Sequence, residues 1–336
     1  MRKNTLAIAI AAALAVPMAA QADTTLYGQG NASIDFLDDD VNDGTHVSNN
    51  SSRIGVKGSH KLNDSLSAVY QMEWGVTLDG DSSTMSARNR IVGLKGGFGT
   101  FVLGRHDTPV KVIGRKADLF WSTQLGQNRS ITAENGHDAR ASNVIGYISP
   151  NFGPAHVFAV YIPEDTTTPG APDAFSVALI VGGGKAPYFV GVGYENLADL
   201  GISDALRVTG TYKFGPVKLA GFYEKSEDIG GNGTGVDQDM YGIGVAFTAG
   251  ANTFKGQYYI ADDRGNTNDS GAQLAAIGWD YALSKSTAVY AQYAQMEKDA
   301  NTVQPFALGG SGHGESVVSA NNGTASGLSA GIRVKF

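Results

Sequence analysis

The chain has 336 residues, with 32 acidic against 25 basic side chains, and this net charge of −7 argues against a nucleic-acid partner, which would call for basic patches. With no cysteine it has no disulfide framework, and its 45 glycines against 10 prolines, without a collagen repeat, suit many strands and turns. After the first residues no stretch approaches the roughly 18–20 apolar residues of a membrane helix, which excludes a helical membrane protein.

The amino terminus reads as an export signal. Arg2 and Lys3 precede an uncharged apolar run, Leu6 to Val16, and Ala20-Gln21-Ala22 supplies the small-x-small cleavage pattern. A signal peptide over 1–22, cleaved after Ala22, leaves a mature chain from Asp23 with 23 basic and 32 acidic residues, a net charge of −9. An exported chain of this size without disulfides needs another source of stability, and a closed, hydrogen-bonded β-barrel is one.

Segments with a period of two run through the rest. Over 26–36, Leu26, Gly28, Gly30, Ala32, Ile34 and Phe36 alternate with Tyr27, Gln29, Asn31, Ser33 and Asp35. Leu66, Ala68, Tyr70, Met72 and Trp74 alternate with Ser67, Val69, Gln71 and Glu73, and the last strand sets Leu328, Ala330, Ile332, Val334 and Phe336 against Ser329, Gly331, Arg333 and Lys335. A strand between lipid and water requires this rhythm, because successive side chains point to opposite faces. A soluble sandwich alternates too. Here, however, short connections (61–65, 96–99, 214–217, 248–253, 282–286) alternate with long ones (37–51, 75–87, 225–236, 262–271, 298–324). That asymmetry, and a count of about sixteen strands, predict an all-β transmembrane antiparallel barrel forming a single domain over 23–336. Phe36, Trp74, Phe247, Trp279, Tyr281 and Phe336 fall near strand ends in the outward phase, as interfacial girdles do.

Motifs for chemistry are weak. Gly182-Gly183-Gly184-Lys185 lacks the spacing and the following Ser/Thr of a phosphate loop and reads as a periplasmic turn. In 38–49 the glycine comes one place late for a calcium loop, and Asn49 stands where the bidentate glutamate belongs. The six histidines show no ligand spacing, and a nucleophile elbow at Ser311 fails because His313 stands where the glycine matching Gly309 belongs. No catalytic residue, metal site or cofactor is expected.

Several pieces, in order, carry a resemblance: Thr25-Leu26-Tyr27-Gly28, Ser52-Arg53-Ile54-Gly55-Val56-Lys57-Gly58, Val92 through Thr100, Leu103-Gly104-Arg105, Arg140-x-x-Asn143 leading to Tyr147-x-Ser149-Pro150-x-Phe152, and the closing Lys335-Phe336. The chain resembles the general porins of Gram-negative bacteria, particularly the neisserial and comamonad group. The resemblance implies a homotrimer of sixteen-stranded barrels in the outer membrane, in contact with lipopolysaccharide. Each barrel would pass small hydrophilic solutes and ions passively through a pore narrowed by a long third loop, here 107–139. It also implies that Phe336 serves as the membrane-insertion signal. Arg53 and Arg88 match wall arginines of the family, Arg90 is expected to share the face of Arg88, and Glu73 matches a family acid. Asp107, Asp118, Glu134 and Asp138 are the loop candidates, and Arg140 either lines the wall or pairs with a loop carboxylate.

Two departures, Gly146 and Ile148 where relatives carry charge and Gln29 in place of a lysine, predict a wall with part of its basic ladder removed. Four acids and four bases between 107 and 139 give no sign for ion selectivity, while the overall negative charge leans weakly toward cations. A substrate-selective channel and a surface adhesin built on a barrel are the alternative functions.

Overall fold

The structure is a computed structural model, and it describes residues 22–80, 85–163, 173–197, 204–229, 235–310 and 312–336. The expected signal peptide lies, through residue 21, outside the described residues. The first strands are β1 (Ala22–Asp38), β2 (Asp43–Asn49), β3 (Arg53–Asn63), β4 (Leu66–Gly75), β5 (Ser86–Gly96) and β6 (Gly99–Asp107). After two helices, α1 (Pro109–Ala117) and α2 (Arg129–Thr132), come β7 (Arg140–Ile148), β8 (Ala155–Ile162), β9 (Ala174–Gly182) and β10 (Tyr188–Asn196). The rest are β11 (Asp204–Phe214), β12 (Val217–Glu227), β13 (Gln238–Ala249), β14 (Asn252–Ala261), β15 (Ala272–Ala282), β16 (Thr287–Lys298) and β17 (Thr324–Lys335).

Each strand pairs antiparallel with its neighbours, and β17 returns to β1, with Gln29 opposite Lys335 and Asp38 opposite Ser326. Phe336 completes the seam: its carbonyl accepts from the Gly28 N–H at 2.9 Å. On its other flank β1 pairs with β3 through Ala22–Gln29 and with β2 through Ala32–Asp38. β2 and β3 are therefore two lengths of one stave, interrupted where Ser51 takes a left-handed φ of 53°. The seventeen ladder segments form sixteen staves, as the alternation predicts.

The long connection expected over 37–51 is not a loop. Only residues 39–42 turn, and the Asp39 carboxylate fixes that turn by accepting from the Val41 and Asn42 N–H groups. The polar run that follows continues the ladder as β2.

The barrel wall is inside-out by the standards of a soluble protein. Leu26, Ile34, Phe36, Ile243, Ile277 and Leu328 are about half exposed or more, while Asn31, Ser33, Asp35 and Ser329 are buried. Apolar surface on this scale is stable only against lipid.

Residues 108–139 lie against the inward-facing side chains. The Thr108 hydroxyl caps α1 by accepting from the Lys111 N–H, and Pro109 occupies the first turn, where a missing N–H costs nothing. The buried face of α1, Val110, Ile113 and Ala117, rests on β9–β12. Two glycines of β10 allow so close an approach: a Cβ on Gly191 would stand 2.7 Å from the Ile113 Cβ, and one on Gly193 2.9 Å from the Ile113 Cδ1. Farther on, Phe120, Leu125 and Ile131 are fully buried with Tyr259, Leu274, Met296, Phe306 and Leu308. Each such side chain contributes roughly 2 kcal/mol of burial. Phe306 and Leu308 belong to the final connection, which packs on the same segment; Gly309 donates to the Leu125 carbonyl at 3.2 Å.

Candidate functional site

Strict alternation brings Arg53 of β3 and Glu73 of β4 to the inner face, at 3.6 Å from each other. Arg88 joins them from β5, its Nε 2.6 Å from the other Glu73 oxygen. The Tyr27 hydroxyl donates to the same carboxylate at 3.0 Å, and the Gln71 amide donates to that hydroxyl. Glu73 is thus held by three inward-facing neighbours and cannot swing.

A β-bulge governs what stands beside this group. Met72 pairs with Arg90 and Trp74 with Ala87, so Arg88 and Asn89 together oppose Glu73. Arg88 and Asn89 both reach inward, and the extra residue reverses the phase. Arg90, expected on the same face as Arg88, lies instead on the outer face in register with Met72, its guanidinium over the Trp74 ring at 5.2 Å. It does not line the lumen.

Asp107, at the end of β6, is the second centre. Its carboxylate lies 3.0 Å from Arg140, 3.3 Å from Lys111 and 3.5 Å from Arg115. Asn89 bridges the wall, accepting from the Arg140 Nε at 2.8 Å and from the Asp107 N–H at 3.2 Å. Arg140, left open between wall and loop by the sequence, pairs with the Asp107 carboxylate. Lys111 is buried, and loss of water pushes its ammonium down to about 8 despite the pull of Asp107. Around Glu73 and Asp107 stand five cations, Arg53, Arg88, Lys111, Arg115 and Arg140, against two acids.

The remaining loop acids do different work. Asp118 is buried, bonded to the Gln257 amide at 2.9 Å and to the N–H groups of Phe120 and Asn128. Burial outweighs those bonds and lifts it to about 6. Asp138 lies 3.0 Å from Arg207 of β11 and accepts from the Thr132 hydroxyl at 2.5 Å. Burial works against its charge, but Arg207 and Arg129 prevail and hold it at about 2. Glu134, half-buried with Lys298 as its opposite charge, is raised by burial to about 7.

Arg207 was not anticipated. It is fully buried between Asp138 and Glu224, and donates to the Val110 carbonyl of α1 at 3.1 Å. A lone arginine at an inward position of a strand otherwise written Leu206-x-Val208-Thr209-Gly210 was the available signal. Lys255 of β14 was missed too; it donates to the Thr123 hydroxyl at 3.2 Å and pairs with Asp280. Among the described residues there is no cluster of metal-ligating side chains.

A family model described as Gram-negative porin matches residues 7–301. The outer membrane porin protein 32 of Delftia acidovorans is 30% identical over 330 residues, covering 90% of this chain and 92% of that protein. The major outer membrane protein P.IB of Neisseria gonorrhoeae is 30% identical over 207 residues, 58% of this chain and 54% of its own length. Among solved structures, the anion-selective porin from Comamonas acidovorans superposes with a TM-score of 0.78 at 25% identity, covering 94% of this chain and all of that one. OmpT of Vibrio cholerae in its trimer form, at 22% identity, shares the fold with a TM-score of 0.70 over 94% of this chain and 99% of that one. The chain belongs to the Gram-negative porins, outer-membrane barrels that act as channels for passive diffusion and not as enzymes.

Proposed function

We propose that residues 108–139 narrow the channel against the wall of β3–β7, and that the passage so formed prefers small hydrophilic anions. The observation carrying this reading is the five-to-two excess of cations around Glu73 and Asp107. A charged ring sets ion preference by the local field, so this cluster outweighs the overall negative charge, much of which lies on screened outer loops. The anion selectivity named for the Comamonas protein agrees with it. Reversal potentials of the purified protein in planar bilayers under a KCl gradient test the reading. Chloride preference is expected, reduced several-fold in an Arg53→Gln/Arg88→Gln variant; a potassium preference in the unmodified protein would exclude it.

The chain also works as a homotrimer in this reading. Around the seam, Ala32 and Ala330 leave the outer face low between Ile34, Val47, Val289 and Ile332, a surface that another barrel can cover. The trimer form of the Vibrio protein supports the assignment. An Ala32→Arg substitution is expected to convert a heat-dissociable trimer into monomers on semi-native gels. Export removes residues 1–22, and the intact mass of the outer-membrane protein checks the start at Asp23. Outer loops contact lipopolysaccharide, and Phe336 is the insertion signal.

A further inference from the structure

On the periplasmic side of α1 the lumen holds a cavity of about 480 Å³. Its lower wall is the inner face of β8–β12 just above the short turns, and its upper wall is the last turn of α1. The charge is one-sided. Arg115 and Lys116 point in from α1, Lys213 and Lys218 from the barrel, and no carboxylate lines the space. Lys213 and Lys218 stand directly opposite each other across the β11–β12 ladder. Like charges so placed repel and destabilise the sheet unless something between them carries the opposite sign.

Local structure accounts for only part of this. Arg115 reaches Asp107 at 3.5 Å, and basic residues in a last helical turn complement the helix dipole. Neither reason covers the wall lysines. Among the described residues, Lys116, Lys213 and Lys218 have no carboxylate within 4 Å.

The floor is apolar. Ile180 and Phe189 line it, with Phe189 buried on the inner face opposite Thr211, and Val112 adds an apolar side chain from α1. The volume is in the range of small-molecule sites, roughly 300–1,000 Å³, and an apolar floor under a few converging charges is their usual construction. A bare inorganic ion would use the lysines and leave the floor wet.

We propose that this cavity is a binding site for small organic anions with an apolar body, such as aromatic carboxylates, distinct from the charged cluster on the β3–β7 wall, with which it shares only Arg115. It rests on the chain being an open channel and not on the sign of selectivity at Glu73 and Asp107. An anion that has passed α1 dwells there before release, so that passage of such solutes saturates while that of chloride does not.

Benzoate, with acetate as the counterpart lacking the ring, is the probe. Single channels of the full-length protein in KCl are recorded with either anion added on the periplasmic side. Benzoate is expected to block the current in a concentration-dependent, saturable way, and acetate to need about tenfold more, since the ring's burial is worth more than 1.4 kcal/mol. Lys213→Gln/Lys218→Gln is expected to raise the half-blocking benzoate concentration roughly tenfold, the scale of a lost charge-assisted contact. The chloride-to-potassium ratio stays near its original value in that variant, whereas Arg53→Gln/Arg88→Gln changes the ratio and leaves the block. Phe189→Ala, which keeps every charge, weakens the benzoate block alone and stands in should the lysine pair prove necessary for folding. Equal block by both anions, no block at all, or a block lost in the arginine variant and kept in the lysine variant would each overturn the proposal.

Discussion

Glu73 is the residue whose removal is most informative, because it neutralises two guanidinium groups at once, Arg53 and Arg88. Glu73→Gln keeps the shape and deletes the charge, so chloride preference in the bilayer measurement should rise, by roughly two- to threefold. The loop carboxylates predict a pH response of definite sign. Asp118 ionises only above about 6 and Glu134 above about 7, while Lys111 begins to lose its charge near 8. All three changes make the lumen more negative as pH rises. Chloride preference should therefore fall between pH 5 and pH 8, and a Glu134→Gln variant should show a shallower fall; a preference rising with pH would contradict the assignment. That Arg53, Glu73 and Arg88 share one face of the wall was legible from alternation and resemblance. Arg90 was not, because the bulge that turns it outward is a property of the β4–β5 pairing, with no signature in either strand alone. The tally of four acids and four bases over 107–139 was equally opaque. Folding separates the two signs: Asp118 and Asp138 are spent bracing the segment, while Lys116, and Arg115 beside its contact with Asp107, line a cavity with no carboxylate.

At the scale of elements, α1 is held by shape below and by charge at its side. Gly191→Val would drive a branched side chain into Ile113, already 2.7 Å from where a Cβ would stand. Displacement of α1 should increase single-channel conductance and its flicker, the opposite of what added bulk in an open lumen would do. Arg207→Met leaves Asp138 and Glu224 buried without their partner, at a cost on the order of 3–5 kcal/mol. The same loosening of α1 is expected, with trypsin cleavage at Arg115 or Lys116 appearing in the folded barrel as the check. Strands were the most readable elements, since each one's two faces meet opposite solvents and the sequence must record both. The helices inside 108–139 were not read, although Thr108-Pro109 is a helix start, because a loop was expected there and nothing local says which wall a helix will lie on.

For the whole molecule, closure depends on the fit between Gly28 and Phe336. A Cβ on Gly28 would fall 2.5 Å from the Phe336 ring, so Gly28→Val should lower the yield of heat-modifiable barrel on refolding into detergent, where Gly30→Ala should not. Barrel and strand number were legible, because they follow from one repeated pattern and a count; the fit of Gly28 to Phe336 was not, because it depends on which residues meet when the first and last strands close. The cavity beneath α1 was not: Lys213 and Lys218 lie on adjacent strands, Arg115 and Lys116 about a hundred residues earlier, and only the closed cylinder brings them together.

The segment 108–139 is made early by the ribosome, yet it is fastened by groups from the last third of the chain: Gln257, Lys255, Gln292 and Gly309. Its seating must therefore be among the final events of assembly. With the proposed narrowing by this segment, a nascent barrel whose last staves are still arriving is a wider and less discriminating hole than the finished one, and the cell is spared that leak only if insertion of the carboxyl-terminal strands and docking of the segment follow each other closely.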